Sequence, residues 1–399
     1  MTDTQSAQGA YLMCRRQTCE GGPIAEDCEN DLAGRRGRLL RSDSTELIPA
    51  ASKLEVHAVH SVQPSDASLG EIREAVAIFA RPIRTRGLLQ LVTSFGPFLA
   101  GCAAMYLVFP ISYLFTLALA IPTGAFLVRV FIVQHDCGHG SFFASRRANA
   151  MTGRVCSLVT LTPFANWSRQ HRLHHADRNK LDRIGGGIDI YSGCLTVREY
   201  LARTKWQRFI YRLPRHPVVA NVLLTPVVFL LLYRLPFDTP QAWLRERRSV
   251  YLTNAALAVL SGTLAALLGW REVLLVHVSI MVVASILGVW LSTLQHRFDS
   301  ARWTARAQWR FVDAALDGSS WLNLPRMLHW VTGNIGFHHV HHLNTRVPNY
   351  RLAAAHEAVQ SIRPTRALCL DRAFAAPWLT LWDERSGRLV SFHEAEMPS

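Results

Sequence analysis

Four stretches of the chain stay apolar for about 20 residues, the length of helix that crosses a bilayer. They are Leu88–Phe109, Ile111–Val133, Val250–Gly269 and Val273–Ser292. The first pair is split only by Pro110, and the second by Trp270, Arg271 and Glu272, so the pattern predicts two helical hairpins. A fifth stretch, Val218–Tyr233, is shorter and carries Pro226 near its middle. Ahead of the first span, Ser68 and Glu71 have the S-x-x-E spacing of a helix-starting capping box. Leu69, Ile72, Val76 and Phe79 then share one helical face, and Pro82 ends the run. Such a helix fits the headgroup layer or the flank of a cytosolic domain equally well.

Composition agrees with the pattern. Of 399 residues 49% are hydrophobic and 18% charged, against about 25% charged in soluble domains. This excludes a wholly disordered chain, and the length excludes a small disulfide scaffold. Eight cysteines are scattered, and Cys14, Cys19 and Cys28 lie among charges in residues 1–65, which read as a disordered cytosolic arm with reduced thiols. Residues 66–392 read as one membrane domain, followed by a short tail, 393–399.

Net charge is +14, and only Lys53, Lys180 and Lys205 among the 43 basic residues are lysines. A basic surplus attracts nucleic acid, anionic lipid or an acidic protein. With the spans present, lipid is the expected partner and nucleic acid is not. Fourteen Arg and Lys residues fall between Gln134 and Pro217, whereas the hairpin tips hold only Arg271. Positive-inside reasoning places 134–217, both termini and the tail after 293 in the cytoplasm of an inner-membrane protein. Parity then makes 218–233 a re-entrant or interfacial helix. The fold expected is all-α: four transmembrane helices in two hairpins under a cytoplasmic helical cap.

The cap carries the chemistry. Of 17 histidines, eight fall in three short words: His135 and His139 as H-x3-H, His171, His174 and His175 as H-x2-H-H, and His338, His341 and His342 as H-x2-H-H, with His339 as an extra. Positions i, i+3 and i+4 share a helix face, so each word projects its imidazoles to one side. Clustered neutral imidazoles repel when protonated and need partners when buried, and a metal supplies that partner. Eight ligands are too many for one ion, which suggests two ions with positions left open. His296, emerging at the same membrane face as His135, is a ninth candidate. His277 lies inside a span and reads as a packing residue. Asp136 and Asp189 are candidates to orient histidine N–H groups from behind, and Asp177 and Asp182 are alternatives.

In wording and order, these boxes resemble the membrane-bound fatty acid desaturase family, closest to its bacterial and cyanobacterial acyl-lipid, omega-6 (delta-12)-like branch. The resemblance rests on His135-Asp-Cys-Gly-His139-Gly-Ser-Phe-Phe143, on Leu181-Asp182-Arg183 with Asp189-Ile190-Tyr191, and on Gly318-Ser319-Ser320. It is strongest in Thr332-Gly-Asn-Ile-Gly-Phe-His-His-Val-His-His-Leu343 and Val347-Pro-Asn-Tyr-Arg-Leu352. It covers roughly residues 68–392. The glycine run at 185–187 is longer than usual for the family, and residues 1–65 match nothing in it.

The resemblance implies a non-haem di-iron oxygenase that desaturates a long acyl chain with O2 and two electrons. The implied iron ligands are His135, His139, His171, His174, His175, His296, His338, His341 and His342; His339 carries no implied role. Side chains alone cannot abstract hydrogen from an unactivated methylene, so a redox cofactor is needed on chemical grounds too. A narrow apolar tunnel would select the carbon pair, with Trp290, Trp303, Trp309, Trp321 and Trp330 as walls or as interface anchors. The chain holds no haem word, iron–sulfur cysteine run or dinucleotide fingerprint, so electrons come from a separate carrier such as ferredoxin, docked on the arginine-rich face. Two other readings compete: a related di-iron hydroxylase or ketolase, and a histidine-rich metal transporter. The transporter places its ligands near the bilayer midplane, unlike the boxes here.

Overall fold

The computed structural model describes residues 66–181 and 193–397. The cysteine-bearing arm, Asp182, the glycine run, Asp189 and the last two residues lie outside that range. Residues 70–399 form one compact unit. The chain runs through α1 (Asp66–Ala77), α2 (Arg84–Val108), α3 (Tyr113–His139), α4 (Arg146–Thr160) and α5 (Phe164–Ala176). After the short strand β1 (Leu195–Thr196) come α6 (Lys205–Arg212) and α7 (Leu224–Leu230), then the long pair α8 (Leu244–Leu268) and α9 (Trp270–His296). The third histidine word forms α10 (His338–Leu343), and α11 (Leu352–Gln360) follows.

Among the described residues, α2, α3, α8 and α9 are the four helices long and apolar enough to cross a membrane, and the chain is membrane-associated. Their ends differ from the apolar stretches. α3 continues to His139 and α9 to His296, past the ends of the apolar stretches at 133 and 292. Hydropathy marks the solvent a segment prefers, whereas a helix ends where its backbone hydrogen bonds find another partner. For α3 that point is Gly140, at φ +71°, whose N–H turns back to the carbonyls of Asp136 and Cys137. The extension puts His135 and His139 on one face, a turn apart.

The hairpins pack through small residues. A Cβ at Gly124 would lie 2.8 Å from Val283 Cγ1 of α9, and one at Gly101 would lie 2.4 Å from Thr123 Oγ1. Close backbone approach of this kind is how apolar helices associate where hydrophobic burial gives no advantage. α2 and α8 keep large apolar side chains exposed, such as Leu89, Val92, Leu107, Val259 and Leu267, as a lipid-facing surface requires. Residues 205–215 and 219–234 form a pair of helical segments bent by 50°, with a π-helical turn at Val219–Leu223. α1 starts at Asp66, so Ser68 lies inside the helix rather than capping it. Its Ile72 and Val76 are buried, which sets that face against protein.

The cap is tied to the spans by polar contacts and short strands. Gln134 of α3 donates to the Thr162 carbonyl and accepts from Thr160, fixing the corner between α4 and α5. Among the described residues there are also five short strands. β1 pairs in parallel with β4 (Leu381–Asp383), which pairs antiparallel with β5 (Arg388–Val390); β2 (Trp321–Leu322) pairs in parallel with β3 (Ala367–Leu368). These ladders join the C-terminal segment to residues 195–196 and 321–322, and Trp321 also bridges to Phe337, just before the third histidine word.

Candidate metal centre

Four helices converge at one end of the bundle, each contributing imidazoles from one face. α3 supplies His135 and His139, α5 supplies His171, His174 and His175, α9 supplies His296, and α10 supplies His338, His341 and His342. One ring nitrogen each from His135, His139, His171, His175 and His341 lie within 4.8 Å of one another. A second group does the same with His174, His296 and His342. His338 joins it, with Nε2 3.1 Å from His296 Nε2 and 2.9 Å from His342 Nε2. The groups abut: the His175 and His342 rings stack with centroids 4.1 Å apart.

This donor set suits metal. Buried His139 Nε2 has no hydrogen-bond partner, and His175 Nε2 lies 3.1 Å from His171 Nε2 and 3.2 Å from His341 Nε2, nitrogen against nitrogen. Burial first, and then the neighbouring imidazoles, hold His171, His175 and His341 well below the usual histidine range. His338 and His342 are held down in the same way, with Arg178 adding to the effect. Neutral imidazoles converging through bare lone pairs are ligands waiting for a Lewis acid. Both groups are histidine clusters able to bind metal.

Asp136 stands behind the first group. Its carboxylate accepts from His135 Nδ1 at 3.1 Å, which leaves Nε2 unprotonated for a metal. It also accepts from the Asn349 backbone N–H and side-chain amide. Asn349 in turn accepts from Gln90 of α2 at 2.7 Å. Asp177 pairs with Lys180, and Asp189 and Asp182 fall outside the described residues. His339 faces the other way, with Nε2 3.0 Å from His356 Nδ1. His277 packs against Tyr106 inside its span, away from both groups.

Three participants were not legible as such. Trp167 stacks on His171 at 4.7 Å, nearly parallel. Asn349 sits in the quoted Val-Pro-Asn-Tyr word, but its partner is 213 positions away. Arg178, one turn beyond His174, donates its guanidinium to the Nε2 atoms of both His174 and His296.

A cavity of about 530 Å³ opens onto the histidines. His135, His171, His174, His296 and His338 form one end of it. The rest is mainly apolar, with Leu127, Phe131, Phe229 and Met281 among its walls, and runs along α9 between Met281 and His296. None of the five tryptophans expected as walls lines it; Trp167 does. Trp290 packs on Phe374, Trp321 on His356 and Trp330 under Arg129, while Trp309 hydrogen-bonds the Arg178 carbonyl.

Known proteins are similar to this chain. The sequence model of the fatty acid desaturase family matches residues 75–373. A fatty acid desaturase of Bacillus subtilis (strain 168) is 39% identical over 322 residues, 81% of this chain and 90% of the relative. The sn-1 oleoyl-lipid 12-desaturase of Anabaena variabilis is 27% identical over 285 residues, 69% of this chain and 75% of its own. The sn-1 acyl-lipid omega-3 desaturase (ferredoxin) of Nostoc sp. (strain 36) is 25% identical over 331 residues, 80% and 83% of the two chains. With histidine clusters facing an apolar cavity between membrane helices, and with relatives matched along most of their length, this chain belongs to the fatty acid desaturase family and is an enzyme of fatty acyl desaturation.

Proposed function

We propose that the chain uses two iron ions to introduce a cis double bond into the acyl chain of a membrane lipid, as the cyanobacterial relatives' names suggest. In this reading His135, His139, His171, His175 and His341 hold one iron, and His174, His296, His338 and His342 hold the other. The observation that carries it is the meeting of nine buried or half-buried imidazoles, in two adjoining groups, with one end of an apolar cavity. An all-imidazole donor set with open positions favours a redox-active ion over a structural zinc, whose four ligands would close its shell.

The protein's own part is positional. The cavity walls hold the acyl chain extended along α9, so that one carbon pair rests beside the histidines, and they exclude water from the reacting carbons. Asp136 keeps His135 in the tautomer that presents Nε2, and Trp167 fixes the plane of the His171 ring. Iron, when bound, supplies the oxygen activation that side chains lack. The reaction balances as one saturated carbon pair, O2, two electrons and two protons giving one double bond and two waters.

The electrons come from a small external carrier such as ferredoxin, named in the Nostoc relative. Residues 66–392 form the desaturase domain, with 1–65 an arm and 393–399 a tail. The basic segment 134–217, the histidines and both termini face the cytoplasm of the inner membrane, supported by the charge asymmetry of the loops, and 218–233 is re-entrant or interfacial.

Expression of the full chain in a host lacking polyunsaturated lipids tests this reading. Gas chromatography should show a new acyl species two hydrogens lighter, and the purified protein should carry close to two irons. A species with an added oxygen would instead indicate a hydroxylase or ketolase. An active but iron-free preparation would overturn the metal assignment.

A further inference from the structure

α5 has two faces of opposite chemistry. Its His171, His174 and His175 point into the centre, while Ala165, Arg169 and Arg172, spaced at four and three residues, lie on the opposite face. That second face meets the start of α8. The Ala165 N–H donates to Ser249 Oγ at 3.1 Å, Arg169 pairs with buried Glu246 at 3.7 Å, and the Arg169 guanidinium stacks on Trp243. Arg169 is thus accounted for, as is Arg247, which donates to the carbonyls of Pro236 and Thr239.

Arg172, Arg245 and Arg248 are not. All three are exposed, and none makes a hydrogen bond or ion pair among the described residues. The Arg172 guanidinium lies near Arg169, Arg245 and Glu246, within reach of their charges. Leu173 follows Arg172, and Leu244 precedes Arg245 and lies one helical turn before Arg248; both leucines are exposed, at 41% and 62%. A merely solvated basic surface would not need exposed apolar neighbours, whereas a protein-docking patch combines the two.

The patch also includes the outer face of α5, the helix that carries three of the nine histidines. His296, His338, His341 and His342 are buried, but the three α5 histidines are only half-buried. One helix thickness therefore separates the unpaired cations from the imidazoles. The desaturation step needs electrons that this chain cannot generate, so a carrier must approach closely.

We propose that Arg172, Arg245 and Arg248, with Leu173 and Leu244, form the docking surface for an acidic electron-carrier protein that delivers electrons across α5. The proposal rests on the desaturase reading above and specifies where its donor binds. Charge complementarity selects the occupant: an acidic carrier is steered to three unpaired guanidiniums, and its rim contacts act mainly on encounter rate and salt dependence. The electrons pass from the reduced carrier to the metal centre, and the carrier leaves oxidised.

The test uses the full-length, iron-loaded enzyme in vesicles of zwitterionic lipid, with the double variant Arg172→Glu/Arg245→Glu and the milder Arg172→Gln. Turnover is driven in one arm by reduced plant-type [2Fe–2S] ferredoxin and in the other by dithionite-reduced methyl viologen, which needs no protein dock. The double variant should raise the ferredoxin KM by about tenfold or more and flatten its salt dependence, with a smaller shift for Arg172→Gln. Viologen-driven turnover should stay within about twofold, which shows that the fold and the centre are intact. Unchanged ferredoxin KM and salt dependence in the double variant would overturn the proposal. So would a loss confined to binding of phosphatidylglycerol vesicles, which would make the patch a headgroup site. Salt-sensitive ferredoxin binding by the protein in detergent is read separately. If the variant loses that binding while the wild type makes no double bond, the docking surface stands and the desaturase reading falls.

Discussion

Asp136 and Asn349, 213 positions apart, are joined by two hydrogen bonds. The Asp136 carboxylate accepts from the Asn349 backbone N–H at 2.7 Å and from its side-chain amide at 2.8 Å. The same carboxylate accepts from His135 Nδ1. The first histidine word is thereby locked to the segment that follows the third. Partners behind metal-bound histidines typically account for about 10–100-fold in metal affinity. Asp136→Asn should lower metal occupancy of the five-histidine group by that order, with the protein still inserted in the membrane. Asn349→Ala should give a smaller loss in the same direction. Metal analysis of the purified variants decides it: full occupancy in Asp136→Asn would show that the carboxylate does not hold the ligand.

Arg178 makes a second prediction. Its guanidinium N–H groups donate to the lone pairs of His174 and His296 that a metal would need. One nitrogen lone pair cannot serve both, so the arginine and the ion compete. Cobalt titration of metal-free protein should therefore fill the five-histidine group first. Arg178→Ala should tighten the second step by about tenfold or more, in line with the cost of displacing a charge-assisted hydrogen bond. Identical titration curves for the two proteins would rule this out.

Acid should destabilise the metal-free protein. His171, His175, His338, His341 and His342 are held well below 6.5 in the folded chain, and His356 is pushed down to about 3 by burial and then by His329. An unfolded histidine titrates near 6.5. Above that pH both states are neutral and nothing is lost. As pH falls below it, the unfolded chain binds protons that the folded chain refuses, so stability declines progressively towards the lowered folded values. Melting temperature should drop between pH 7.5 and 5.5, and bound metal should be released over the same interval. A melting temperature indifferent to pH across that window would contradict the buried, neutral state of these rings.

Gly288 tests the cavity. It lines the wall on α9, and a Cβ added there would meet only Val128 Cγ2, at 3.9 Å, which is ordinary contact. Gly288→Ala should therefore be tolerated. Gly288→Leu should fill the passage and shift products towards shorter acyl chains, while iron content stays unchanged. An unaltered chain-length profile in Gly288→Leu would mean that the acyl chain runs elsewhere.

Much of this is legible in the sequence itself. Spans and histidine words are local signals: a hydrocarbon layer demands a run of apolar residues, and helical periodicity brings His171, His174 and His175 to one face whatever surrounds them. His296 was legible only through an inference about where the hairpins end, and it does stand beside His338.

Other features had no local signal. The helices outrun their apolar stretches because Gly140 and the cap, not hydropathy, end them. Which histidines share a group, why Asn349 backs His135, why Trp167 lines the cavity and the five expected tryptophans do not, and where Arg178 points all depend on contacts between distant segments. Local chemistry determined which residues could bind metal and which could face lipid. Only long-range packing decided which of them meet, because a side chain's partners are set by how whole helices cross.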